Sequence, residues 1–309
     1  MTKFLIIGGS GLLGCSLVLA ARGRGHDVIA TYKDHPIRFL GVPSMRFDAM
    51  NGEEVGRIFS DINSDWIINC AALTDVDRCE TDISLATRMN SELPGILAHE
   101  SRRRGAGIVH ISTDYVFDGK VGQYTEKSEP SPINVYGRTK LAGEKYVESE
   151  NPKNLIIRTT MFGWNVQDKK SLAEWMLWSL RCDRKFLGYS DKYFSPLLTW
   201  DLSHLILDLI FARQTGLFNL SSRDYVSKEI FARKLASIYG LDQNLISPYS
   251  EKDRVIDGID TRAVRPNNSS LCSKKAENVL NRIMPSVNEG LKKLKLIESI
   301  DLMGSGLER

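Results

Sequence analysis

The sequence predicts an α/β chain: a doubly wound parallel sheet followed by a smaller, mixed α+β part toward the C-terminus. Short apolar runs alternate with amphipathic stretches from Lys3 to Thr160, which is how βα units feed a parallel sheet. The first run is followed by Gly8-Gly9-Ser10-Gly11-Leu12-Leu13-Gly14 and then by a helical pattern. Strand, glycine loop and helix in that order form a phosphate-binding turn. Beyond Thr160 the alternation loosens, so the expected division is 1–160 and 161–309, with a part at about 197–216 returning to pack on the first.

Taken in order, Lys3 to Gly8 reads as a buried strand, and the helix after the glycine loop runs to about Ala21. Asp27 to Tyr32 is the second strand, Ser44 to Phe47 a short one, Glu53 to Ile62 a helix and Trp66 to Ala71 a buried strand. Asp75 to Glu80 opens a helical region reaching Arg104, with Asp75 and Asp77 as helix-start residues. The run Arg102-Arg103-Arg104 closes it as a solvated end, where cations suit the helix dipole. Gly107 to Thr113 is the next strand, a loop with Pro130 and Pro132 follows, and then the Tyr136 helix and a strand from Asn154 to Thr160. Later helices are expected at Leu172–Leu180 and Trp200–Arg213, a strand at Leu217–Ser221, and a helix capped by Ser227 through Tyr239. Ile246 to Ser270 reads as irregular. Val287, Leu291 and Leu294 mark a final amphipathic helix with its lysines on the wet face, and the chain frays from Gly304.

The 309 residues are enough for a large core, and 26% charged with 42% hydrophobic residues is ordinary for a soluble globular protein. A net charge of +3 gives no reason to expect a nucleic-acid or membrane partner. Cys15, Cys70, Cys79, Cys182 and Cys272 form no C-x-x-C pair, so neither a disulfide framework nor a zinc site is expected. No signal peptide and no bilayer-spanning run is read, which makes the cytoplasm the default.

The chemistry concentrates at Tyr136-Gly137-Arg138-Thr139-Lys140, where Tyr136 and Lys140 lie one helical turn apart. A neighbouring ammonium stabilises a phenolate, so the phenol gives up its proton more readily. Protonating a carbonyl oxygen while hydride arrives at carbon needs such an acid. Alone, the pair fits an ordinary solvated helix more often. Ser112-Thr113-Asp114-Tyr115 ends its strand at the sheet edge where ligands bind in open α/β folds. At the end of the second strand stand Tyr32 and Lys33, with Arg38 beyond, in place of an acid. These cations suit a 2′-phosphate, so NADPH is expected with NADH as the alternative; Lys33 as a plain solvated loop residue is an even match.

Together these stretches resemble the extended short-chain dehydrogenase/reductases, and more narrowly the dTDP-4-dehydrorhamnose reductase-like family. The residues that carry it are Gly8/Gly11/Gly14, Ser112 to Gly119, Asn134 to Glu144, Asn69 to Glu80 and Arg265 to Leu271. The resemblance implies a Rossmann-type fold, a mainly C-terminal substrate-binding domain, and reduction of the C4 ketone of a nucleotide-linked 4-keto-6-deoxysugar. It implies Thr113, Tyr136 and Lys140 as the catalytic set, with Tyr136 as proton donor and Lys140 on the nicotinamide ribose. Gly8, Gly11, Leu12, Leu13 and Gly14 would face the pyrophosphate, with Tyr32, Lys33, Asp48, Ala49, Ala72, Leu73 and Thr74 along the rest of the cofactor. Thr113, Asp114 and Arg265 would meet the sugar nucleotide. Each has a plainer reading: Asp48 as a helix cap, Ala72 as packing, Arg265 as half of a surface ion pair. Met161 stands where the family has a tryptophan over the substrate, and Ser16 where some members carry an acid associated with a metal between subunits. No such metal is therefore expected. A homodimer is the default oligomer. The competing class is a non-enzymatic NADP-binding subunit like the regulatory β subunit of methionine adenosyltransferase, which resembles the same family.

Overall fold

The computed structural model describes residues 1–37, 41–167, 169–253 and 263–299. Arg38 and the stretch from Gly304 lie outside them. The chain begins β1 (Lys3–Ile7), α1 (Leu12–Gly23), β2 (Asp27–Tyr32), β3 (Ser44–Arg46), α2 (Gly52–Asp61) and β4 (Trp66–Asn69). There follow α3 (Val76–Thr81), α4 (Ile83–Thr87), a π turn (Arg88–Glu92), α5 (Leu93–Arg103), β5 (Gly107–Thr113), α6 (Val135–Glu150), β6 (Asn154–Thr159) and β7 (Met161–Phe162). The second half adds α7 (Leu172–Arg181), β8 (Phe186–Tyr189), β9 (Tyr193–Phe194), β10 (Leu197–Leu198), α8 (Thr199–Phe211) and β11 (Gly216–Leu220). It ends with β12 (Val226–Ser227), α9 (Lys228–Tyr239), β13 (Ile246–Tyr249), α10 (Lys274–Leu280) and α11 (Val287–Ser299).

Seven parallel strands form the main sheet in the order β11-β6-β5-β4-β1-β2-β3. The strand order reverses between β1 and β4, the switch point outside which such sheets bind ligands. Alternate residues of β1 feed opposite layers. Phe4 and Ile6 join Leu17 and Val18 of α1 and Leu202, Leu205 and Leu209 of α8. Leu5 and Ile7 join Val55 and Ile58 of α2, Leu97 of α5 and Val147 of α6. Thus α8 and β11, from the second half of the chain, complete the layers of the first. A separate core of α7, α9 and α11 lies beyond β7 and β10.

Several expectations are refined. The helical region after Asp75 is broken at Asp82, whose side chain caps α4 by accepting the Leu85 N–H at 3.0 Å. Ile246–Tyr249, read as irregular, is a strand in parallel register with β8. Arg104 is more than a solvated end: its Nε donates to the Phe59 carbonyl at 2.9 Å and its guanidinium stacks on that ring. On α11 the lysines lie on the wet face as expected, with Lys292 and Lys295 exposed; from there Lys293 pairs with Asp201 and Lys295 donates to the Ile238 carbonyl at 2.7 Å. Among the described residues no helix is long and apolar enough to cross a membrane.

Candidate active site

Helix α6 begins with Asn134, whose Oδ1 accepts the Gly137 N–H at 2.8 Å and whose Nδ2 donates to the Val264 carbonyl. Tyr136 lies in the first turn and Lys140 one turn further along. Gly137 is needed between them, since a Cβ there would lie 2.2 Å from the Tyr115 carbonyl oxygen. The helix therefore lies directly against the backbone leaving β5. Tyr115 meets the Tyr136 ring edge-on, with centroids 5.9 Å apart.

Thr113 and Tyr136 line the same cleft. The Thr113 hydroxyl accepts the Tyr115 N–H at 3.2 Å and donates to Asp114 Oδ1 at 3.1 Å. Lys140 is buried, and its Nζ donates to the Ile111 carbonyl at 2.6 Å. So the structure gathers the three expected catalytic side chains at one edge of the sheet. It corrects the expected electrostatics. Burial pushes the Tyr136 phenol above its ordinary value, and the neighbouring Thr113 hydroxyl only partly opposes this. Lys140 itself is pulled down to about 8 by burial, against the opposing charge of Glu144. In this arrangement desolvation outweighs the help expected from a nearby ammonium.

Asp114 is buried and accepts a 2.5 Å hydrogen bond from the Ser269 hydroxyl. Burial raises its carboxyl to about 6, with the Ser269 and Thr113 hydroxyls acting in the other direction. Beneath it, Glu144 and Arg158 form a buried ion pair at 2.7 Å, and Ser112 donates to the same carboxylate at 2.5 Å. Glu144 stood in the sequence motif, but spacing gave no sign of Arg158.

At the end of β1, Gly8 adopts φ 75° and its carbonyl accepts the Gly11 N–H at 3.0 Å. Gly14 allows α1 to close on this loop, because a Cβ there would lie 2.2 Å from the Gly8 carbonyl oxygen. No side chain caps α1, which leaves the first-turn N–H groups of Leu12, Leu13 and Gly14 for an anion. This cradle fits a pyrophosphate. Leu13 is otherwise a core residue and Ala49 is likewise buried in the core. At the expected adenosine end, Tyr32 closes β2 half-buried, and Lys33 lies 3.5 Å from Asp48. The expected 2′-phosphate cation and its neighbouring acid are thus partners. Asp48 does not cap α2: its Oδ1 accepts the Met50 N–H, while Asn51 Oδ1 accepts from Glu54. Ala72-Leu73-Thr74 leaves β4 over the same edge. Asn90 of the π turn clamps it, accepting the Leu73 N–H at 2.8 Å and donating to the Leu73 carbonyl. Asn90 Nδ2 also approaches Thr139 of α6, and no periodic signal marked it.

A cleft of about 210 Å³ opens over Thr113, Asp114 and Tyr136, with Met161, Lys192 and Lys228 on its other sides. Met161 therefore borders the cleft as expected. Arg265 lies just behind: it is paired to Asp77 at 2.7 and 3.0 Å, and its charge reaches Tyr115. Lys192 donates to the Arg265 carbonyl and to Asn267 Oδ1, and also pairs with Glu251. Neither Lys192 nor Lys228 was foreseen, since no local pattern distinguishes them from surface lysines. Ser16 donates to the Thr199 hydroxyl at 3.0 Å.

Against known proteins, a family model described as RmlD substrate binding domain matches residues 2–298. A protein of Haloferax volcanii named probable low-salt glycan biosynthesis reductase is 33% identical over 294 residues, covering 94% of this chain and 96% of its own. A dTDP-4-dehydrorhamnose reductase structure from Clostridium acetobutylicum superposes with TM-score 0.84 at 29% identity, over 96% of this chain and 100% of that one. The Bacillus anthracis dTDP-4-dehydrorhamnose reductase, solved in complex with NADP, gives TM-score 0.83 at 28% identity, over 96% and 99%. With the glycine cradle, Thr113 and Tyr136 lining one cleft, Lys140 one turn along the same helix as Tyr136, and a match along nearly its whole length, the chain belongs to the RmlD substrate binding domain family.

Proposed function

We propose that this protein reduces the C4 ketone of a nucleotide-linked 4-keto-6-deoxysugar with NADPH, as the dTDP-4-dehydrorhamnose reductases it is similar to are named for doing. The observation that carries the reading is the cleft lined by Thr113 and Tyr136, with buried Lys140 one helical turn from Tyr136, at the same sheet edge as the uncapped start of α1. NADPH, when bound, supplies the hydride. Tyr136 delivers the proton from Oη to the ketone oxygen, and the Thr113 hydroxyl hydrogen-bonds that oxygen and orients it. Lys140 meets the nicotinamide ribose, while Gly8, Gly11, Leu12, Leu13 and Gly14 hold the pyrophosphate. Tyr32, Lys33, Asp48, Ala49 and Ala72-Leu73-Thr74 line the rest of the cofactor path. Asp114 and Met161 border the sugar, and Lys192, Lys228 and Arg265 offer cations to the nucleotide's phosphates.

In this reading residues 1–160 hold the dinucleotide and 161–309 build most of the sugar-nucleotide side. A cytoplasmic setting accords with five free cysteines, and a homodimer is the default assembly. A purely regulatory role is not favoured, because the relatives of matching length are named as reductases.

The test is substrate-dependent NADPH oxidation with dTDP-4-keto-6-deoxysugars. Tyr136→Phe is expected to lower turnover by roughly 10²–10⁴-fold while NADPH affinity, read by titration, stays close to the parent's. Parent-rate reduction by the variant overturns the assignment.

A further inference from the structure

Below the catalytic lysine runs a chain of buried polar groups to which the reductase reading gives no part. His110 of β5 is fully buried, and its Nε2 lies 3.4 Å from Lys140 Nζ. Its other ring nitrogen, Nδ1, lies 3.3 Å from Asn69 Nδ2 on neighbouring β4. The Asn69 amide has a fixed sense, because its Oδ1 accepts the Ala71 N–H at 3.1 Å. Asn69 Nδ2 can only donate, so His110 Nδ1 accepts, and a neutral ring then carries its proton on Nε2. Burial, with Lys140 adding to it, holds the imidazole well below its ordinary value and so keeps it neutral. The Nε2–H therefore faces Lys140. An ammonium has no lone pair with which to accept it, whereas the neutral amine does.

We propose that His110 is a positioning residue for Lys140: through the tautomer that Asn69 imposes, it presents an N–H to the amine and disfavours the ammonium. The surrounding charges act in the opposite sense. Glu144, one turn along α6, and the Cys70 thiol after β4 both favour the charged form. Glu144 is in turn held by Arg158 of β6 and Ser112 of β5, and the π turn offers the uncharged Asn90. The Ile111 carbonyl accepts from either form of the amine and keeps Nζ in place. Burial holds Lys140 at about 8, where a group takes up and releases a proton near neutrality, as an ordinary lysine does not. The role concerns how Lys140 serves the proposed reduction, and it rests on that reading only for its kinetic readout.

Two measurements test it. Nitrogen-15 NMR of the imidazole in the unaltered protein reports which ring nitrogen bears the proton. The Nε2–H tautomer is expected, and an Nδ1–H ring or an imidazolium overturns the proposal. Asn69→Asp keeps an acceptor for the Ala71 N–H but removes the donor to Nδ1, so it reverses the tautomer. His110→Gln offers an amide oxygen to the amine and adds no charge. In His110→Gln the Lys140 Nζ titration is expected to move upward; in Asn69→Asp, whose added carboxylate favours the ammonium by itself, the ring is read as well and should carry its proton on Nδ1. The alkaline limb of NADPH-dependent turnover should move with the titration. Unmoved titrations in folded variants overturn the proposal, and if neither variant folds the tautomer measurement decides alone. Shifted titrations in a protein that reduces no ketosugar would leave His110 in this role and remove the reductase reading.

Discussion

On the sheet side of the cleft, Thr113, Tyr136 and Lys140 are fixed by partners drawn from β5, α6 and the turn between them, with the Glu144–Arg158 pair beneath. On the facing side, Lys192, Lys228 and Ser269 come from three separate segments, joined by contacts such as Lys192 to Asn267 and Arg265 to Asp77. In the proposed reduction the sheet side holds the groups that act on a ketone, and the facing side the cations and hydroxyls that select what the ketone is attached to. Local connections give the first rigidity, whereas the second depends on distant parts of the chain arriving together.

The largest expected effect comes from breaking the sheet side. Arg158→Met leaves Glu144 buried without its cation, and should cost about 3–5 kcal/mol in denaturant unfolding. A loss near zero would mean that Ser112 alone satisfies the carboxylate. Asp114, at the junction of the two sides, should show a smaller and pH-dependent effect. Its folded-state value of about 6 lies above the ordinary 3.8, so the folded protein binds the proton more tightly. Stability contributed by this group is thus present at low pH, and is lost as pH rises from about 4 through 6. Asp114→Asn should flatten that dependence, gaining up to roughly 3 kcal/mol at pH 8 and nothing at pH 4. The same variant should weaken substrate binding. Smallest in stability is Arg265→Ala. Its ion pair with Asp77 is partly exposed, so unfolding should change by less than about 1 kcal/mol. If Arg265 serves the nucleotide, KM for the sugar nucleotide should nonetheless rise roughly 10-fold with kcat little changed. An unchanged KM would leave Arg265 as a tie between α3 and the stretch after it.

What was legible in the sequence follows the same division. The placement of Tyr136 and Lys140 one turn apart was legible because one helix fixes it, and the glycine loop was readable because strand and helix flank it directly. Ser227 as the cap of α9 was equally local. His110, Asn90, Lys192 and Lys228 were not legible, since each gains its role from a partner on another element. The pairing of β8 with β13 escaped for the same reason, two four-residue strands giving too little periodicity to mark a sheet. The direction of the Tyr136 shift was misjudged because it turns on burial, which sequence spacing does not encode.

The return of α8 and β11 to the main sheet bears on how this protein can be cut and expressed. A fragment ending near residue 160 would lack β11, leaving one margin of β6 unpaired, and would strip the leucines of α8 from α1. Such a fragment would present a bare strand margin and an oily helix to its neighbours, the conditions for clumping rather than for a soluble cofactor-binding half.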